Sequence, residues 1–176
     1  MKATETQPHP FVTYLETLSA NRGALAALRR GLGQPPGTVP EVYPYLMPFI
    51  PEGAGSYTEA AYFTIASLYA LYPQSSSSGN MGSHMAAAIA SESRQAAVER
   101  RFTALLACHP DDLPDALRQA ISFLRSQDQP VNWHQLMRDY LAWGHPDRYI
   151  QKSWAAAFWR PAIQTESTES ATETEI

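Results

Sequence analysis

Cysteine occurs once in 176 residues, at Cys108, which excludes an internal disulfide. With no CxxC or Cys/His cluster, it also excludes a structural zinc site. Lysine is nearly absent, with only Lys2 and Lys152 against 11 arginines. Charge of any kind is thin, 17% of residues where an average soluble domain carries roughly 25%. The longest strongly apolar stretch without a charge covers residues 60–72, well short of the roughly 20 residues needed to span a bilayer. The opening MKATETQPHP has no apolar core of a signal peptide. A cytoplasmic, reducing location and no membrane partner are expected. Alternating apolar and polar positions, the mark of a half-buried strand, are missing throughout, as is any repeat at a solenoid period.

What remains is helical. Hydrophobic residues reach 44%, enough for a buried core, and the length suits one domain or two small helical halves sharing an interface. Apolar positions Phe11, Leu15, Leu18, Leu25 and Leu28 predict a helix ended by Gly31 and Gly33. Residues 33–55 hold six prolines and must form an irregular apolar connector with at most a helical turn. Ser56 and Glu59 read as a capping box opening a helix to Tyr72. A flexible loop, QSSSSGN at 74–80, is the natural boundary between halves. Beyond it come an Ala-rich helix near 81–91 and a helix near 94–107. A third is capped by Asp111 or Asp112, and a fourth opens at Asn132 with Gln135 as a second capping box. The final helix has Pro146 in its first turn. GSHM at 82–85 matches a tag-cleavage remnant but falls at a helix start and is read as native. The expected fold is all-α: an N-terminal half 8–91, a C-terminal half 92–160, and a disordered acidic tail 161–176.

No catalytic, metal or cofactor site is predicted. His9, His84, His109, His134 and His145 form no HExxH or other ligand spacing. Cys108 and His109 are neighbours, which do not face each other on a helix, and Cys108 reads as a small core residue rather than a nucleophile. Asp111, Asp112 and Asp115 sit at a helix start, where capping and the helix dipole account for them.

The signal lies in the arginines. The net charge of −4 splits into 13 acidic and 13 basic residues over 1–160 and four glutamates without a base over 161–176. Residues 31–93 contain no Arg or Lys, whereas 94–101 hold three Arg against one Glu. Arg22/Arg29, Arg94/Arg101 and Arg118/Arg125 each stand seven apart, close to two helical turns, so each pair lines one stripe. Arg30 and Arg100 widen two stripes. Arg148 and Lys152, at i and i+4 on the last helix, repel unless an anion visits. Arginine suits bidentate phosphate contacts, and without a base-reading motif such contacts are to backbone and independent of sequence. The alternative is a solvated face with internal pairs such as Asp115–Arg118.

Several strings are more specific. They are Arg22-Gly23-Ala24-Leu25-Ala26-Ala27-Leu28-Arg29-Arg30-Gly31, Tyr43-Pro44, Gly79-Asn80-Met81-Gly82, and Glu99-Arg100-Arg101-Phe102 with Leu105-Leu106. Then follow Leu117-Arg118, Asn132-Trp133, Leu136-Met137, Asp139 and Trp143, and Gln151 with Trp154. In this order and spacing, from about residue 14 to 160, the chain resembles the CasB family, the small subunit of the type I-E CRISPR surveillance complex Cascade. The resemblance implies an all-helical protein without catalysis of its own, acting in antiviral defence. By the same resemblance, two copies are expected to line the belly of the complex, beside the backbone and large subunits and the guide RNA. They are expected to stabilise the R-loop through contacts with the displaced non-target strand and the guide–target duplex. Carried over by motif, Arg29, Arg30, Arg100 and Arg101 are the leading nucleic-acid contacts, then Arg118 and Arg138. Arg22, Arg94, Arg125, Arg148 and Lys152 rest on charge pattern. Glu99 and Asp139 are expected to orient arginines. Family members with lysines in the loop matching 73–80 differ from this chain, whose loop is uncharged. A purely structural scaffold, its arginines paired with carboxylates of neighbouring subunits, is the competing reading.

Overall fold

Local capping decides where the helices break. A computed structural model describes the backbone of residues 7–172 and the side chains of residues 7–160; the expected acidic tail is therefore outside the described side chains. The single helix predicted from Phe11 to Arg30 is two, α1 over Pro10–Thr17 and α2 over Arg22–Arg29. Asn21 is the cause. Its side chain accepts the Ala24 N–H at 3.0 Å, satisfying one orphan donor of a new helix start. The connector carries a 3-10 turn, Pro40–Val42, and one helical turn, α3, over Tyr43–Leu46.

Helix α4, Ser56–Leu71, starts without the predicted box: Gly55 holds the cap position and Ser56 is already helical. Every residue from Ala61 to Ala70 is buried, so α4 is the central strut, as befits a helix apolar on all sides. A capping box does form at α5, Met81–Ala87, between Asn80 and Ser83. It escapes the usual pattern because serine takes the place of Glu or Gln.

Helices α6 (Glu92–Ala107), α7 (Leu113–Ser126), α8 (Trp133–Ala142) and α9 (Tyr149–Thr172) complete the chain. Neither Asp111 nor Asp112 caps α7 through its side chain. A 3-10 turn over Pro110–Asp112 precedes it, with the His109 ring accepting the Asp111 N–H at 3.3 Å. At α8 half of the predicted box exists. Asn132 accepts from the Gln135 N–H, while the Gln135 side chain turns to Asp139. Pro146 lies before α9, which begins at Tyr149.

The loop expected to be flexible is stitched down. Ser75 forms an isolated parallel bridge with Val131, and Gln74 O accepts from both Val131 N–H and the Trp133 indole. α2 and α8 flank α4, α5 lies on α9, and α6 lies on α7. One hydrophobic cluster draws on every one of these helices. No strand occurs among the described residues, and no helix among them is long and apolar enough to cross a membrane.

Candidate nucleic-acid interface

Charge placement follows from helical phase. Positions that face the core on α2, α6 and α7 (Leu25 and Leu28; Val98, Phe102 and Leu105; Leu117, Ile121 and Leu124) are buried, and the arginines between them must point outward. Arg22, Arg29, Arg30, Arg94, Arg100, Arg101, Arg118, Arg125, Arg148 and Lys152 are all exposed, and only Arg138 is half-buried. Among the described residues, Arg30–Glu41 at 3.5 Å is the sole pairing of an arginine or lysine with a carboxylate. Such an exposed pair contributes about 0–1 kcal/mol. The Asp115–Arg118 pair offered by the alternative reading is not formed among the described residues, and Glu99, expected to orient an arginine, accepts instead from Gln95 at 3.0 Å. Asp139 orients no arginine either: it is buried, accepting from the Trp154 indole at 2.6 Å and Gln135 at 2.8 Å. Burial pushes its carboxyl upward, and the Trp154 and Gln135 donors pull it back.

The arginines divide among separate surfaces. Arg100 and Arg101 line a groove of about 850 Å³ between α6 and α7, with Gln119, Ser122 and Ser126 on its far wall. The Arg101 guanidinium lies 5.4 Å from the Phe123 ring centroid, a cation–π contact that holds it in place while leaving its donors free. Arg94 shares the Arg101 flank of α6, seven residues earlier. Arg118 belongs elsewhere. It borders a cavity of about 290 Å³ formed by residues 31–37, α4 and the start of α7. Gly33 has φ +71°, a backbone conformation that favours glycine, and its Cα approaches the Arg118 guanidinium closely enough that an added Cβ would lie 2.5 Å from it. Arg125 continues the Arg118 stripe.

Three candidates are tethered to the fold. Arg138 donates to the carbonyls of His134 and Gln7, Arg29 Nε to Leu25 O at 3.2 Å, and Arg148 to Leu106 O at 2.7 Å. Arg148 has φ +52° and lies before the first residue of α9, where its carbonyl accepts the Lys152 N–H at 3.0 Å while its guanidinium turns to Leu106. Lys152 instead shares a shallow depression with Asn80, Ser153 and Arg160. Arg160 is the residue that sequence reasoning passed over. Its spacing of eight from Lys152, just over two turns, is the signal that finds it.

No grouping of three or more His, Cys, Asp or Glu able to hold a metal ion occurs among the described residues. Burial pushes the Cys108 thiol up, and Asp112 pushes it further, away from the thiolate a nucleophile requires. The four tryptophans serve packing: Trp133, Trp143 and Trp154 are fully buried, and Trp159 packs partly buried against Phe102 and Phe158.

Known proteins resemble this chain over most of its length. The family described as CRISPR-associated protein Cse2 matches residues 24–159. A CRISPR-associated protein Cse2 of Thermus thermophilus is 31% identical over 168 residues, covering 93% of this chain and 96% of that protein. The crystal structure of M. ruber CasB is similar with a TM-score of 0.76 at 32% identity, over 90% of this chain and 95% of that one. A chain of a CRISPR RNA-guided surveillance complex shares the fold, with a TM-score of 0.75 at 23% identity over 91% and 95%. The match takes in every helix from α2 to α8 and the described core face of α9, and on that evidence the chain belongs to the CRISPR-associated Cse2 family.

Proposed function

We propose that this protein is a non-catalytic small subunit of a Cascade-type CRISPR surveillance complex. In this reading its arginine surfaces hold nucleic-acid backbone and so stabilise the R-loop. The observation that carries the reading is the exposure of ten of the eleven candidate cations with one carboxylate partner among them. Apart from Arg29, Arg138 and Arg148, which donate to backbone carbonyls, these arginines keep donors available for phosphate, which arginine binds bidentately; the competing scaffold reading gives the same donors to carboxylates of neighbouring subunits. The partners in this reading are guide RNA, the target and displaced DNA strands, the backbone and large subunits, and a second copy of this chain. Contacts to phosphate from separate surfaces give binding that weakens with salt and ignores sequence.

Reconstitution tests the proposal. Complexes carrying Arg100→Ala with Arg101→Ala, or Arg29→Ala with Arg30→Ala, are compared with wild type for assembly and for R-loop lifetime on target DNA. Normal assembly with a shortened R-loop lifetime is expected. Failed assembly with otherwise folded subunits identifies the arginines as protein–protein contacts, and normal assembly with an unchanged R-loop overturns the nucleic-acid role.

A further inference from the structure

Helices α6 and α7 are joined by the short connection 108–112 and meet again where the Arg101 guanidinium lies over the Phe123 ring, 5.4 Å from its centroid. They therefore run antiparallel, and the groove between them, about 850 Å³, has two unlike ends. Arg100 and Arg101 stand at one end. Asp112 and Asp115 stand at the other, beside the connection, with Asp115 about 12 Å from Phe123 along the α7 axis. The floor between them is apolar and mostly small, formed by Ala104, Leu105, Ala116 and Ala120, and Gln119 lines the α7 wall. None of these four charged groups is paired with an opposite charge among the described residues.

This charge pattern selects the occupant. An acidic peptide would satisfy the arginines but carry further carboxylates towards Asp112 and Asp115. A bare phosphate would leave the apolar floor in water. A nucleotide whose base bears an amino group meets all three demands, with an anion at one end, flat apolar faces, and hydrogen-bond donors at the far edge. Arg101 supplies the surface to lie on. Phe123 supports its guanidinium from one side, the group is exposed on the other, and a guanidinium plane stacks on bases. The groove volume also falls within the range of about 300–1,000 Å³ usual for small-molecule sites. We infer that the α6–α7 groove is a base-binding subsite. An unstacked base of a single strand lies against the Arg101 guanidinium, its phosphate at Arg100 and its amino edge turned towards Gln119 and Asp115. The subsite rests on the function proposed above and adds to it, because phosphate contacts alone do not register whether a base is present.

The test uses the full chain and two fluorescent single strands of equal length at neutral pH, an oligodeoxycytidylate and an abasic strand with the same phosphates. Affinities are measured by anisotropy, and their ratio is read. Wild type is expected to favour the strand with bases about tenfold, within the range that one stacked base contributes. Arg101→Lys keeps the charge and loses the planar guanidinium, whereas Phe123→Leu keeps the apolar support and loses the ring. Each should reduce the ratio to about twofold or less. Arg101 is exposed, so its substitution leaves the core intact even where Phe123→Leu disturbs packing. Equal affinities of wild type for both strands overturn the subsite and leave the phosphate role standing. A ratio that survives both substitutions puts the base elsewhere and overturns the assignment to this groove. Binding of neither strand overturns the proposed function and the subsite together.

Discussion

His84 is 4% exposed, and its Nε2 accepts the Asn132 backbone N–H at 3.0 Å. A proton on that nitrogen would meet a donor already aimed at it, and burial depresses the imidazole from 6.5 to about 4. The sign is fixed by this direction. The unfolded chain takes up the proton as pH falls through 6.5 and the folded chain does not, so stability is complete above 6.5 and is lost progressively towards pH 4. The full difference is about 3 kcal/mol. Urea midpoints from pH 7.5 down to pH 5 should therefore fall for wild type and fall less for His84→Gln, which keeps an acceptor but does not titrate; parallel curves would remove His84 from the account. His9, lowered by burial and then by Arg138 and His134, adds a slope of the same sign that both proteins share. At the same scale, Asp139→Ala strands the Trp154 indole N–H in the core. It should cost about 1–3 kcal/mol, seen as a lower denaturation midpoint with the fold retained; no change would mean the indole finds another acceptor.

Between elements, the closest approach is that of α5 to α9. A Cβ on Gly82 would lie 1.9 Å from the Trp154 carbonyl oxygen and 2.9 Å from its Cα, backbone that cannot move aside. Gly82→Ala should separate the two helices at a cost of at least about 3 kcal/mol, lowering the melting midpoint by about 10 °C in circular dichroism. Gly144→Ala is the control, since its Cβ would meet only Pro110 at 3.7 Å, and it should change little. Equal melting of the two variants would refute the packing argument. This contact also explains the Gly79-Asn80-Met81-Gly82 string in physical terms. Asn80 caps α5 and donates to Ser153 Oγ at 3.3 Å, Met81 is buried, and Gly82 permits the crossing. The GSHM sequence at 82–85 is thus integral to the core, with His84 and Met85 buried as well.

Over the whole molecule, Arg100–Arg101 and Arg118 line different cavities with α7 between them, Asp115 bordering both. Surfaces that each hold their own phosphate should contribute additively. If each surface holds phosphate, removing charge from both should lower the salt slope of single-strand binding by the sum of the two single losses. A double variant no worse than either single one would mean one surface carries all the binding.

Much of this was legible from residue order alone. Helical period and proline placement determined the all-α class, the connector and most of the helices, because burying one face of a helix imposes its spacing locally. The seven-residue arginine spacing told which charges share a stripe for the same reason. What tertiary structure decided was everything set by residues far apart in the chain. Asn132 on His84, Val131 on Ser75, Trp154 on Asp139 and Phe158 on Phe102 arise from packing that no local period encodes. Those contacts tie down a loop that composition reads as flexible, commit Arg148 to Leu106, and reassign Asp139 from the surface charges to the core.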